Sequence, residues 1–448
     1  MKNWFLRLAI FVSLVFPYGS YSQSKQDSVL RNASLADCIQ FALKNQPLIR
    51  QAQIDEDIAE NTIKSNLAGW FPQLSGGFLF QHYLKLPTSF FPDATTGAKR
   101  PVQTGVKYTS NVQFQLSQSI FNRDLLLAST TARDVRRQAR QTTTADKIDI
   151  TVNVSKAYYD LLLTQRQVEV LDENIVRAER SLQDAYNQYK GGLVDKTDYK
   201  RAQIELNNTR ADRKRAFDLI NAKAAVLKQV MGYPTDQPVS VRYDSLQLER
   251  DALIDTGRNV VFSNRIEYQL LETQQSLLQA NFKYARYAYL PTVSANGNYI
   301  PTYQNDQLTN LYRSVYPTSL VGLSITIPIF QGGKRIYDIR NAALQVKRAN
   351  WDMIALKQQI NAEYFQALSS YKGNLAELNA LKENVDLARE VYSTLRVQYN
   401  AGIKTYLDVV IAETDLRAAE LNYFNALFAV LSSKLDVEQA AGTVVWER

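Results

Sequence analysis

The chain has 448 residues, with 52 Lys and Arg against 44 Asp and Glu, so that its formal net charge is +8. The basic residues are spread along the chain, which argues against a nucleic-acid site. One cysteine and one histidine exclude an internal disulfide framework and argue against a zinc or copper site. Because the sequence has neither a Gly-rich phosphate loop nor a nucleophile elbow, we predict no enzymatic activity and no cofactor.

The first 22 residues are typical of a secretory signal peptide. A basic start precedes an apolar run, 8–16, that is too short to span a bilayer. Ser20 and Ser22 then supply the small side chains expected before a cleavage site. We therefore expect an exported protein, and Cys38 lies too far from the cleavage site to carry a lipid anchor.

The chain contains an internal repeat at an offset of 210 residues. Tyr-Lys-Gly-Gly-Leu at 189–193 returns as Tyr-Asn-Ala-Gly-Ile at 399–403. Before each glycine, apolar residues recur in coiled-coil steps of three and four; they are Val168, Leu171, Ile175, Ala178, Leu182, Ala185 and Tyr189, then Leu378, Leu381, Val385, Ala388, Tyr392, Leu395 and Tyr399. We assign 23–250 to a first repeat that ends in a linker and 251–448 to a second.

Very long helices are predicted in both repeats. Residues 35–69 read as one helix, and 122–189 contain neither proline nor glycine, which allows a helix of about 100 Å. A returning helix follows the glycines and ends near Met231. The predicted helices of the second repeat are 257–289, 333–399 and a last one that ends near residue 435. Since helices of globular domains average about a dozen residues, we predict coiled coils rather than a compact core.

Between the helices the hydrophobic period changes to two, which predicts four strands. They lie near 74–86, 106–120, 292–303 and 320–330. An isolated alternation of this kind is also typical of a hairpin in water. In an exported chain, strands of this length with one uncharged polar face favour a membrane location.

Four strands cannot close a barrel, and an open edge is not tolerated in lipid. We therefore predict that strands from several copies combine into one barrel. Two copies would give eight strands and an interior filled by side chains, whereas three would give twelve and could enclose a lumen. A closed ring is the symmetry expected of such an assembly.

With these features the mature chain resembles the TolC-like outer-membrane efflux proteins over essentially its whole length. The segments 34–37 and 42–47 resemble the family's opening pattern, and both repeats follow its order of elements. The resemblance implies an α+β membrane protein and a homotrimer. Its 12-stranded barrel would lie in the outer-membrane lipid of a Gram-negative cell and continue into a coiled-coil tunnel across the periplasm.

The resemblance also assigns residues to a gate at the periplasmic end. Asp198 matches an aspartate that links the inner and outer coiled coils, and the partners of that aspartate match Tyr399 and Lys404. Lys404 replaces an arginine, and a lysine cannot make the bidentate contact of a guanidinium group. Asp408 matches an acidic position that forms a constricting ring, whereas Ile411 stands at a second acidic position. An aspartate just after a glycine turn is also a common helix-start residue, so that interpretation of Asp198 and Asp408 stays open.

A second set of residues is implied at the helix tips, where a periplasmic adaptor would dock. This set consists of Gly191, Gly192, Leu193, Ala401, Gly402 and Ile403. The implied function is a passive exit duct of a tripartite efflux or type I secretion system, opened by the adaptor and energised by an inner-membrane pump of the RND, ABC or MFS type.

One alternative function is structural: an exported trimeric coiled-coil stalk or adhesin anchored by a small barrel. Two glycine turns at matched positions and polar strand faces favour the channel over this alternative. Drugs, metal ions, polypeptides and siderophores are all compatible with the sequence as substrates.

Overall fold

The computed structural model describes residues 30–92, 97–192, 194–242, 245–255, 257 and 260–445. The predicted signal peptide, residues 1–22, lies outside the described residues, as does Leu193. The helices are α1 (Leu35–Asn45), α2 (Pro47–Leu67), α3 (Arg123–Lys190), α4 (Lys196–Met231), α5 (Ser245–Asp251), α6 (Ile266–Arg286), α7 (Lys334–Asn400) and α8 (Tyr406–Ala441). The strands are β1 (Gln73–His82), β2 (Thr88–Pro92), β3 (Lys99–Gln103), β4 (Tyr108–Phe121), β5 (Thr292–Asn305) and β6 (Tyr316–Thr326).

Two long helical hairpins dominate the fold. Helices α3 and α7 have 68 and 67 residues, and each turns back into a partner of 36 residues, α4 or α8. The apolar stripe predicted on α7 is buried or half-buried at every position, and on α3 only Tyr189 is exposed. These stripes pack α3 along α4 and α7 along α8. None of the helices in the described ranges is long and apolar enough to cross a bilayer.

Three helix boundaries differ from the sequence prediction. The single helix predicted over 35–69 is wrong, because Pro47 has no N–H to donate and disfavours helical geometry at Gln46, so that α1 ends there and α2 begins. Helix α6 begins at Ile266 rather than near 257, after an extended residue. Helix α8 continues beyond residue 435 until Gly442, whose φ of +70° provides the left-handed cap.

The sheet is antiparallel with the strand order β1-β4-β5-β6, and β2 and β3 form a separate hairpin. Each of the four predicted segments overlaps one strand of the sheet, although β6 begins at Tyr316, four residues before the predicted start. Strand β1 stops at His82 and β6 stops at Thr326, earlier than the predicted ends near 86 and 330. Pro328 cannot donate to a ladder, which explains the early end of β6. The β2–β3 hairpin was not predicted.

The two faces of the sheet differ in polarity, as the alternation predicts. One face carries an apolar row across all four strands, in the order Leu74, Leu116, Gly297 and Val321. The next row lies on the opposite face and consists of Gln73, Ser117, Asn296 and Gly322. Leu74 and Val321 are 73% and 87% exposed, so the apolar face of the sheet is not covered by the described part of this chain.

The main hydrophobic core lies partway along the hairpins, where α1 and the linker pack against α3, α4, α7 and α8. Tyr371 anchors the linker there: its hydroxyl donates to the carbonyl of Ala252 (2.9 Å) and accepts from the amide of Ile254 (3.2 Å). Towards the glycine turns a smaller cluster replaces this core; it consists of Ala185, Ala202, Tyr392, Tyr399, Tyr406, Val409, Ala412 and Leu416. This second cluster positions the candidate site.

Candidate functional site

The two glycine turns have the same geometry at the exposed end of each hairpin. Gly192 and Gly402 have φ angles of +72° and +75°, which only glycine adopts readily, and both amides donate to the tyrosine carbonyl three residues earlier. Gly191 and Ala401 are exposed beside them. Ile403 is 72% exposed, so an apolar side chain projects from the second turn.

Asp198 and Tyr399, which the sequence assigns to a gate link, are neighbours in space. Tyr399 is 6% exposed, and its pKa is raised to about 12 by burial and then by the negative charges of Asp198 and Asp184. Its buried hydroxyl has no hydrogen-bond partner among the described residues. The structure therefore brings the two residues together without a hydrogen bond between them, and their role as a link stays a prediction.

Asp408 occupies the first turn of α8, where it completes a capping box. Its carboxylate accepts hydrogen bonds from the amide (3.0 Å) and hydroxyl (2.8 Å) of Thr405. The Thr405 hydroxyl is the main cause of a lowered Asp408 pKa, and the charge of Lys404 adds to it. Within the described residues, exposed Lys404 makes no ion pair with Asp198. The capping box shows that Asp408 acts at the start of α8, and its role in a constricting acidic ring stays a prediction.

A polar seam joins the two hairpins about three to five helical turns away from the glycine turns. We define it as Arg177, Ser181, Glu205, Glu413, Arg417 and Glu420. Arg177 of α3 pairs with Glu420 of α8 at 3.0 Å, and Arg417 of α8 pairs with Glu205 of α4 at 2.9 Å. The side chain of Glu420 is only 9% exposed. Buried carboxylates are stable only when paired or hydrogen-bonded, so the seam fixes how the hairpins face each other.

Glu413 is the carboxylate of the seam that has no positively charged partner within the described part of the chain. It is 6% exposed and accepts one hydrogen bond, from the Ser181 hydroxyl at 3.3 Å. The described residues provide it with no ion pair. Burial is the main cause of its raised pKa, and the negative charge of Glu205 adds to the shift. The site therefore contains a buried carboxyl group whose ionised form is less favourable than that of an exposed glutamate.

Sequence analysis missed the polar seam, although a signal for it exists. Tyr406, Glu413, Glu420 and Leu427 follow one another in steps of seven, and all four are buried. Glutamate at a repeating core position of a coiled coil is unusual and indicates a polar contact between helices. The apolar stripes that predict the coiled coils lie on α3 and α7, whereas this signal lies on α8.

The reactive side chains of the described residues are not grouped as a metal site. The part of the chain that the structure describes holds no group of three or more His, Cys, Asp or Glu side chains placed to bind a metal ion. Cys38 is buried, and burial raises the pKa of its thiol to about 12, which makes it unreactive. His82 stacks on Tyr108 with ring centres 4.4 Å apart.

Paired coiled-coil hairpins joined to a sheet with one apolar face define a membrane protein in which a helical conduit is fixed to membrane-inserted strands. The model of the outer membrane efflux protein family matches residues 38–233 and 263–443. The chain therefore belongs to the outer membrane efflux protein family. It is an outer-membrane exit channel of a Gram-negative cell, with its helical tunnel in the periplasm.

Individual relatives support this assignment along the whole length of the chain. The chain is 22% identical over 424 residues to the outer membrane protein TolC of Vibrio cholerae, covering 92% of this chain and 91% of TolC. It is also 22% identical over 429 residues to the proteases secretion protein PrtF of Dickeya chrysanthemi, covering 92% and 88%. Among solved structures, the channel-forming protein CusC has the same fold, with a TM-score of 0.74 at 17% identity over 94% of this chain and 95% of CusC. These relatives are channel and secretion proteins rather than enzymes.

Proposed function

We propose that three copies of this chain form the passive exit duct of a tripartite efflux or type I secretion system. The observation that supports a trimer is the open four-stranded sheet, in which β1 and β6 are the edge strands. Unpaired edges are not tolerated in lipid, and twelve strands are enough to enclose a lumen. In this arrangement the apolar face of the sheet contacts lipid and the polar face lines the pore.

The glycine turns are the proposed docking surface for a periplasmic adaptor, which connects the duct to an inner-membrane pump. Gly192 and Gly402 have open space around them, since a Cβ added at either would meet no atom within 4 Å. The exposed side chain of Ile403 offers an apolar contact at the same end. Efflux proteins and a protease secretion protein both resemble the chain, so the pump sets the substrate in this proposal, and an RND, ABC or MFS pump is compatible with it.

The gate is proposed to lie between the turns and the polar seam. Three copies of Asp408 would form an acidic ring there, and Asp198, Tyr399 and Lys404 would link neighbouring coiled coils. Support for the links comes from the buried Tyr399 hydroxyl, which lacks a partner within the described part of one chain, because buried polar groups are normally hydrogen-bonded. Adaptor binding would favour the open arrangement of the hairpins.

Single-channel recording of the purified protein in planar bilayers tests this proposal. We expect cation-selective current that multivalent cations block. Asp408→Asn is expected to lower the cation preference and to weaken the block several-fold, because the ring loses three negative charges while an asparagine oxygen still accepts the Thr405 hydrogen bonds.

The contrasting variant is Asp198→Ala, which removes a proposed closing link and should raise the basal conductance instead. If the parent protein inserts but passes no current, the duct proposal is wrong. If Asp408→Asn has the same selectivity and block as the parent, Asp408 acts only at the start of α8.

A further inference from the structure

Glu413 faces polar groups on all four helices of the two hairpins. Ser181 and Arg177 lie on the α3 side, Glu205 on α4, and Tyr392 and Arg396 on α7. Tyr406 approaches from α8 itself, and the negative charge of Glu413 helps to raise the pKa of both Tyr392 and Tyr406. A negative charge on Glu413 therefore interacts with groups on all four helices of the two hairpins.

Arg177 and Arg417, two of the nearby cations, are already paired with other carboxylates, whereas the charge of Arg396 partly offsets the rise in the Glu413 pKa. Arg177 donates to Glu420 at 3.0 Å, and Arg417 donates both to Glu205 at 2.9 Å and to Thr209. Arg396 makes no ion pair with Glu413 within the described residues. An ionised Glu413 would thus be a buried negative charge with only the Ser181 hydroxyl as donor, which is costly unless the site opens to water.

We propose that Glu413 is a proton-operated element of the gate: protonated, it lets the two hairpins pack closely, and ionised, it favours their separation. This inference rests on the proposed gating of the duct by movement of the coiled coils. Separation would hydrate the carboxylate, so the charge is tolerated in the open arrangement and not in the closed one. The exit duct would then respond to periplasmic pH independently of the adaptor.

The direction of the pH response follows from proton linkage. With the hairpins packed as in this structure, which the proposal equates with the closed duct, the pKa of Glu413 lies above the ordinary glutamate value of 4.5. A hydrated open arrangement would return the pKa towards that value. The closed state therefore binds more protons between these two pKa values. The stabilisation of the closed state by the protonated Glu413 is fully present at low pH and is lost as pH rises through the raised pKa. The population of the open state therefore increases with pH.

Single-channel recordings of the whole protein at a series of pH values test the inference. We expect the basal conductance of the parent to rise with pH, and Glu413→Gln, which mimics the neutral carboxyl group, to lose that rise and remain closed. Ser181→Ala removes the donor to the carboxylate and should shift the midpoint of the response to higher pH. Asp415→Asn is the matched control, since this exposed carboxylate lies two residues away on the same helix and its loss should leave the response unchanged.

A second readout does not depend on current. Infrared difference spectra of parent against Glu413→Gln should contain a protonated carboxyl band that persists above pH 4.5, the ordinary glutamate value. If that band is absent, or if Glu413→Gln conducts with the parent's pH response, the inference is wrong while the duct proposal stands. If no variant passes current under any condition, the duct proposal itself fails.

Discussion

Two residues, Ser-Gly, inserted between Ala401 and Gly402 are expected to abolish export while leaving folding and assembly intact. The turn is exposed and its Gly402 has open space around it, so extra residues disturb no packed contact. The insertion does, however, displace the exposed side chain of Ile403 from the position set by the amide hydrogen bond of Ile403 to Gln398 (2.9 Å). Export by a complementing strain that lacks its own channel measures the effect.

The matched control inserts the same two residues between Gly97 and Ala98, in the loop of the β2–β3 hairpin. Both positions are exposed. The β2–β3 hairpin connects the ends of β1 and β4 that lie away from α3, and α3 leads to the glycine turns, so export should be unchanged. Insertion between Gly191 and Gly192 should act like the Ala401 insertion. Normal export from both turn variants, with normal amounts in the outer membrane, would show that the turns are not the adaptor contact.

Arg265→Ala is expected to destabilise the helical region strongly. The Arg265 side chain is 8% exposed; it pairs with Glu267 at 2.9 Å and with Glu363 at 2.9 Å, and it donates to the carbonyl of Ala440 at 3.0 Å. It thus ties the start of α6 to α7 and to the end of α8. Truncation leaves a buried carbonyl without its donor and two half-exposed carboxylates without their cation, at a cost of about 3 kcal/mol.

The midpoint of thermal unfolding, followed by circular dichroism at constant protein concentration, measures this loss. The unfolding midpoint of Arg265→Lys should lie between those of the parent and the alanine variant, because an ammonium group cannot reproduce all the hydrogen bonds of the planar guanidinium group. Arg215→Ala is the control, since Arg215 is 76% exposed and its ion pair with Asp212 spans 3.6 Å. Exposed pairs contribute at most about 1 kcal/mol. Equal effects of Arg215→Ala and Arg265→Ala would contradict the assigned role of Arg265.

Periodicity was sufficient to predict most of the fold. The stripes on α3 and α7 depend on local spacing and on burial against one neighbour, and both were readable without tertiary information. The break at Pro47 was also readable, because proline disfavours a continuous helix at that position, yet 35–69 was predicted as a single helix. The linker contacts of Tyr371 join residues 119 and 117 positions apart in the chain, and no local pattern indicates them.

The candidate site was only partly predictable for a related reason. Asp198 and Tyr399 could be paired through the family resemblance, and the structure places them close together. The burial of Glu413 and its contact with Ser181, 232 residues away, depend on how the two hairpins meet. The helix-start role of Asp408 was one of two interpretations that the sequence left open, because an acidic residue in the first turn is compatible with both a helix start and a pore ring.

The oligomeric state in detergent tests the central claim most directly, because a four-stranded open sheet requires partners. Native mass spectrometry of protein extracted from outer membranes should give a single species of three chains, and heating should convert it to single chains with loss of the β-sheet signal. A monodisperse single chain that keeps its β-sheet signal would contradict the account, since β1 and β6 would then be stable as unpaired edges.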